Sequence, residues 1–246
     1  MCRHLAYLGP PRALAEIVTD PPHSLYEQSY APRRGTDGVV NADGFGIGWY
    51  PPGDRAGPVR YRRAVPIWAD ANFPGLAHLL RSGAVLAAVR SASPGNSLEE
   101  SAAAPYALGR WLFSLNGFVE RWESLPGDTG ESLSAADLLT MEAHTDAALL
   151  WVMVARRLTA GAPAGDALAE VARLTAAARP AARLNLLLTD GRAIAAIRRG
   201  ASLHYRRTSD EVTVASEPTT DDRDWQEVPD QSLLLTTQHT AEIAPL

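Results

Sequence analysis

The 246-residue chain has no lysine: all 23 basic side chains other than histidine are arginine. Against 28 Asp and Glu they leave a formal net charge of -5. No basic patch stands out that could neutralise a phosphate backbone, so composition argues against a nucleic-acid partner. A single cysteine, Cys2, excludes an intramolecular disulfide and leaves no thiolate cluster for zinc. The six histidines (His4, His23, His78, His144, His204 and His239) lack ligand spacing, so neither a metal nor another cofactor is expected. No apolar run approaches the roughly 18 residues of a membrane span, and the start lacks a secretory leader's apolar stretch. No membrane partner is expected, and a cytoplasmic setting fits the lone thiol. Phosphate-loop chemistry is also missing: the glycines of Asp43-Gly-Phe-Gly-Ile-Gly48 have the wrong spacing and no helix after them. No repeat or low-complexity linker divides the chain. With 46% apolar and 21% charged residues, it reads as one globular domain over residues 1–246. A homo-oligomer is compatible with this composition.

What is present is a sequence with strands at both ends and helices between them. Residues 3–8 read as a strand ended by Gly9-Pro10-Pro11, followed by a short helix over 11–18. Residues 19–41 form a long polar loop, of a kind that more often carries function than not. Strands are expected over 45–50, 59–64, 84–89 and 111–115, the last ending at Asn116-Gly117, and a helix over 72–81. Ser134 caps a helix running from 135 to 158 with a break near His144, and a second helix covers 164–178. Five strands follow, at 183–188, 193–197, 202–206, 212–215 and 232–236, with Asp190-Gly191 as a hairpin turn. This order suits an α+β layered fold better than βαβ alternation.

Cys2 carries the chemical argument. Removal of Met1, expected before so small a side chain, would place a free α-amine beside the thiol. That amine titrates near ~8, so it can take the thiol proton near neutral pH, where a lysine amine cannot. The thiolate is the reactive form. An arbitrary lone cysteine is more often a small buried apolar residue, so the remaining motifs must decide.

The opening Met1-Cys-Arg-His-Leu5 and the segment Asn41-Ala-Asp-Gly-Phe-Gly-Ile-Gly-Trp-Tyr50 resemble class II glutamine amidotransferase domains. Ala87-Ala-Val-Arg-Ser-Ala-Ser93, Leu112-Phe-Ser-Leu-Asn-Gly117 and His144-Thr-Asp-Ala-Ala-Leu-Leu150 continue the match in order. The resemblance implies a four-layer αββα N-terminal-nucleophile hydrolase fold with two antiparallel sheets between helical layers. Pro22-His-Ser-Leu25, Gln28-Ser-Tyr-Ala-Pro-Arg-Arg34 and Ala64-Val-Pro-Ile-Trp-Ala-Asp70 are similar, more narrowly, to the γ-glutamyl hydrolase family of actinobacterial ergothioneine biosynthesis. That family hydrolyses N-(γ-glutamyl)hercynylcysteine sulfoxide and stands alone, without a synthase domain or ammonia channel. The chain departs from the wider pattern at Leu115, where a histidine is common, and at Ala147-Ala148, where Ser-Glu is common.

The resemblance implies roles for particular residues. Cys2 is the nucleophile, and the Asn116 side-chain amide and Gly117 N–H are the oxyanion donors. A γ-glutamyl group carries an α-carboxylate, which the planar fork of Arg90 suits, and an α-ammonium, which Asp146 suits. Ser93 adds a hydroxyl. Asp43, Gly44, Gly46 and Trp49 are expected to shape the wall around Cys2. The leaving group has a quaternary ammonium, for which Trp68, Tyr50 and Trp111 are aromatic candidates, and a carboxylate, for which Arg33 and Arg34 are candidates. The same residues leave other readings open: a glutaminase subunit supplying ammonia to a synthase, an inactive relative that only binds, or an amidase of the penicillin-acylase or bile-salt-hydrolase kind. The last would not need the Arg90 and Asp146 charges.

Overall fold

The computed structural model describes residues 2–34, 40–53, 57–93 and 95–246; Met1 and residues 35–39 of the long loop lie outside them. Among the described residues two sheets stack. The first contains β1 (Arg3–Ala13), β2 (Phe45–Trp49), β3 (Val59–Arg63), β4 (Arg81–Val89), β9 (His204–Arg207), β10 (Val212–Ala215) and β11 (Gln226–Glu227). Its strand order is β11-β9-β10-β1-β4-β2-β3. The second contains β5 (Tyr106–Leu108), β6 (Trp111–Phe118), β7 (Arg183–Thr189), β8 (Ile194–Arg198), β12 (Ser232–Thr236) and β13 (Ala241–Pro245), ordered β13-β12-β8-β7-β6-β5. Every strand pairing is antiparallel.

Strand alternation builds the layers. In β1, Leu5 and Tyr7 point outward and pack with Leu14, Val18 and Phe73 of α1 (Leu14–Val18) and α3 (Phe73–Leu79). Ala6 and Leu8 point inward and meet Leu86, Leu187 and Val214 between the sheets. In β6, Leu112 faces that inner layer, whereas Phe113 and Leu115 pack against Met153 and Leu168 of α6 (Asp146–Thr159) and α7 (Ala164–Ala178). Three apolar layers thus separate helix, sheet, sheet and helix, which is the αββα arrangement. Each fully buried Leu, Val or Phe adds about 1.5–3 kcal/mol relative to exposure.

The fold differs from the sequence reading in a few places. Gly9-Pro10-Pro11 does not end β1; the register shifts between Leu8 and Arg12, and pairing resumes at Arg12↔Ser82. A bulge accommodates residues that cannot all join the ladder. The helix over 11–18 accordingly starts only at Leu14, and the long loop contains α2 (Leu25–Gln28), capped by Ser24. Asn116-Gly117 does not end a strand: β6 runs on to Phe118, with Asn116 opposite Asn185 and Gly117 opposite Leu184. Beyond α4 (Leu125–Thr129), Ser134 does cap a helix, through a capping box, but α5 (Ala135–Leu139) is short and α6 begins only at Asp146. The edge strands β5, β11 and β13 lie outside the strands that the sequence predicts. The hairpin at Asp190-Gly191 is present, with Asp190 Oδ1 accepting from the N–H groups of Arg192 and Ala193.

Candidate active site

Register brings the site together. Arg3 pairs with Val89, so Cys2, one residue before the ladder, falls beside Arg90, one residue after it. His4 and Ala6 face the inner layer, and alternation aims Cys2 to the same side. The thiol donates to Ser91 C=O at 3.6 Å. It opens on a pocket of about 460 Å³, mouth included, whose lining also has Arg90, Ser93, Asn96, Tyr106, Gly117 and Asp146. Burial pushes the thiol pKa up, and Asp146 adds to this; the bond to Ser91 and the Arg90 charge oppose it.

Arg90 is buried at 7% exposure. Its Nη2 donates to Ser97 C=O at 2.7 Å, while Nη1 is buried without a partner. A buried guanidinium with an unused donor is costly unless a ligand completes it. Asp146 is the first residue of α6, held there by the Thr145 cap, which accepts from Ala148 N–H. Its Oδ2 accepts from Val119 N–H at 3.0 Å, and Oδ1 from Ala147 N–H at 2.9 Å and Asn96 Nδ2 at 3.3 Å. Burial raises the Asp146 pKa against these bonds and the Arg90 charge. The pocket therefore sets a cation with a free donor and an acid beside the thiol.

Gly117 contributes a backbone donor. Leu184 N–H goes to Arg199 C=O on the β8 side, so Leu184 turns its polar groups away from β6. Gly117, opposite it, is then a non-hydrogen-bonded position, and its own N–H points away from β7. On that side β5 reaches only to the partner of Phe113, so the N–H opens on the pocket. Val119 N–H, two residues on, points the same way, to Asp146. A Cβ at Gly117 would sit 1.9 Å from Arg183 C=O, so no other residue fits without backbone movement.

Asn116 stands behind the pocket lining. Its side chain lies between the sheets, where Nδ2 donates to Ser216 Oγ at 3.0 Å and Oδ1 is buried unpaired. Ser216 Oγ also accepts His4 N–H at 3.0 Å. Turning the amide over would let the Ser216 hydroxyl donate to Oδ1 and would place Nδ2 at the unpaired position. His4 Nδ1 meets Ser114 Oγ at 2.8 Å in the same layer, and burial pushes its pKa down to about 3.

Other expected residues fall outside the lining. Asp43 is a support: its Oδ2 accepts Ala92 N–H at 2.8 Å and its N–H donates to Arg90 C=O. Gly44 carries φ +133° and accepts Arg90 N–H, and a Cβ there would meet Arg63 C=O at 2.9 Å. Trp49 belongs to the outer core under α1 and α3, at the end of β2 away from Cys2, since Phe45 and not Trp49 pairs with Val89. Tyr50 and Trp111 share that distant end; Tyr50 donates its hydroxyl to the carbonyls of Arg110 and Thr189. Trp68 is 37% exposed and packs edge-on against Tyr30. Arg33 pairs with Asp221 at 2.9 Å. Arg34 lies close to Cys2: its C=O accepts Arg3 Nη2 at 2.5 Å, and Arg3 Nη1 donates to Cys2 C=O at 3.0 Å. Asn96, Tyr106, Ser216 and Glu217 escape a reading of the sequence. Only their positions in the fold reveal them.

No protein-family model matches the chain. It is 42% identical over 246 residues to a γ-glutamyl-hercynylcysteine sulfoxide hydrolase of Mycolicibacterium smegmatis, covering all of both chains. It is 41% identical over 248 residues to one of Mycobacterium tuberculosis, covering all of this chain and 97% of that one. Among solved structures, a glutamine aminotransferase class-II domain protein of Silicibacter pomeroyi superposes with a TM-score of 0.70 at 26% identity, covering 99% of each chain. The glutamine phosphoribosylpyrophosphate amidotransferase of Bacillus subtilis gives a TM-score of 0.67 at 13% identity over 49% of its length, a likeness of fold. With that identity along its whole length and these layers around Cys2, the chain belongs to the γ-glutamyl-hercynylcysteine sulfoxide hydrolase family, built on the class II glutamine amidotransferase fold.

Proposed function

We propose that the protein hydrolyses the γ-glutamyl amide of N-(γ-glutamyl)hercynylcysteine sulfoxide to glutamate and hercynylcysteine sulfoxide, with Cys2 as nucleophile. The observation that carries this reading is the Arg90 guanidinium, buried with Nη1 unpaired, in one pocket with the Cys2 thiol and the Asp146 carboxylate. A glutamyl α-carboxylate completes Arg90 and the α-ammonium meets Asp146, which leaves the γ-carbonyl to face the thiol.

After Met1 is removed, the Cys2 α-amine takes the thiol proton. The thiolate attacks the γ-carbonyl carbon, and the C=O electrons move onto oxygen. Gly117 N–H and the Asn116 amide stabilise that oxyanion; one such donor is typically worth about 100- to 1000-fold in rate. Collapse breaks the C–N bond, the α-ammonium returns its proton to the leaving nitrogen, and a glutamyl thioester remains. Water, deprotonated by the α-amine, attacks the thioester and releases glutamate and the thiol.

The test is glutamate release from the sulfoxide and, separately, from free glutamine, beside a Cys2→Ala control. Fast Cys2-dependent release from the sulfoxide with little from glutamine is expected. Release from glutamine alone would move the protein to ammonia supply, and release from neither would make it a binding relative or an enzyme for another amide.

A further inference from the structure

Once Met1 is gone, Cys2 is a chain terminus, and termini fray unless tied down. The β1–β4 ladder does not hold it, because pairing starts at Arg3. Its C=O is held instead by Arg3 Nη1 at 3.0 Å. The same guanidinium donates Nη2 to Arg34 C=O and Nε to Glu217 Oε1 at 2.8 Å. Glu217 is wholly buried, and its Oε2 accepts from His23 Nε2 at 2.9 Å and from Arg33 N–H at 2.8 Å. One carboxylate therefore ties together the residue next to the nucleophile, the segment before α2 and the loop carrying Arg33 and Arg34.

We propose that Glu217 is a positioning residue for Cys2: through Arg3 it fixes the Cys2 carbonyl, and through His23 and the Arg33 main chain it locks the neighbouring loop to the same anchor. This rests on the reading of Cys2 as the nucleophile. A carboxylate on Nε holds the planar guanidinium in one orientation, so Nη1 and Nη2 are aimed together at Cys2 C=O and Arg34 C=O. A lysine is a point charge and could not hold all three acceptors in one plane. Burial alone would raise the Glu217 pKa, but the bonds from His23, Arg33 N–H and Arg3 outweigh it and keep the carboxyl below its ordinary range. The titratable and charged groups facing this anchor are Arg3 of β1, His23 before α2, and Arg33, whose guanidinium is on Asp221. Arg90 and Asp146 act on the thiol from the pocket.

The experiment uses the mature protein and Glu217→Gln, which keeps the shape but removes one acceptor and the charge opposite Arg3. Two readouts are taken: kcat and KM for γ-glutamyl hydrolysis, and the rate of Cys2 alkylation by iodoacetamide against pH. The expected kcat falls about 10- to 100-fold, as for a slightly misplaced nucleophile, while KM stays near the wild-type value. The alkylation midpoint moves to lower pH, because an uncompensated Arg3 favours the thiolate. A purely structural role would lower the melting temperature and leave both the kcat per titrated Cys2 and the midpoint in place; that result overturns the proposal. If Glu217→Gln does not fold, Arg3→Lys tests the same link: lost kcat with KM kept supports it, and wild-type kcat refutes it. Alkylation needs no substrate, so a wild type without γ-glutamyl turnover would sink the hydrolase reading separately.

Discussion

At the scale of single residues, the pocket sets a cation left incomplete beside a carboxyl held by three donors. Arg90 has a buried, unpaired Nη1, and Asp146 is ionisable in a setting whose burial raises its pKa. Arg90→Lys removes the fork and Asp146→Asn removes the charge. Each is expected to raise KM for γ-glutamyl substrates about 30-fold or more, the equivalent of the ~2 kcal/mol or more that truncating one side of a buried charge pair costs. Steady-state kinetics at neutral pH checks this, and unchanged KM in both variants would remove the glutamyl subsite. The raised Asp146 pKa also sets a sign with pH. Protonation, reached as pH falls, deletes the proposed partner of the α-ammonium, so KM should climb in mildly acidic buffer. Asp146→Asn should flatten that climb; an equally steep one in the variant would assign it to another group.

At the scale of elements, strands set the site and loops trim it. Gly117 shows why local composition misleads. Asn116-Gly117 reads as a tight turn, yet it lies inside β6, and the glycine is required because Arg183 C=O of β7 passes where a Cβ would be. That contact is 66 residues away in sequence and leaves no local trace. Gly117→Ala should cost roughly 3 kcal/mol of stability, since the obstacle is backbone and cannot rotate aside. Thermal unfolding measures it, and a variant as stable as wild type would contradict the β6–β7 register. The bulge in β1 escapes a local reading for a related reason: Gly9-Pro10-Pro11 is a stop signal that the sheet overrides. The strand over residues 3–8 is legible, and so are the cap at Ser134 and the hairpin at Asp190-Gly191. Cys2, Arg90, Ser93, Gly117 and Asp146 can be found from motifs, and the structure gathers them around one pocket. Asn96 and Glu217 cannot, because a polar residue in a loop carries no sign of what it will face. Strand register places the expected wall residue Trp49 and the aromatic candidates Tyr50 and Trp111 at the far end of the sheets. For the loop, substituting Arg33 and Arg34 should raise KM for the sulfoxide more than for a simple γ-glutamyl amide; equal losses on both would remove a leaving-group role.

At the scale of the whole molecule, the two sheets meet over an apolar layer that turns polar at the Cys2 end, with His4, Ser114, Asn116 and Ser216 bonded across it. This makes the fold sensitive to acid. His4 titrates at an ordinary 6.5 when unfolded and near 3 when folded, so the unfolded chain binds the proton first. The stability it contributes is complete above about pH 6.5 and is lost as pH falls toward 3. Glu217, held low, adds a loss in the same acid direction below its unfolded range. Denaturant unfolding at pH 7 and pH 4 should show the difference, and His4→Asn should reduce it. No helix among the described residues is long and apolar enough to cross a membrane.

The central claim is that Cys2, as the first residue of the mature chain, forms a glutamyl thioester. Rapid quenching during turnover of the sulfoxide, followed by mass spectrometry of the N-terminal peptide, tests it most directly. The predicted result is a peptide beginning at Cys2 that carries one added glutamyl group, released by hydroxylamine and absent from Cys2→Ala. A fully active enzyme that retains Met1, or glutamate release that persists in Cys2→Ala, would contradict the account.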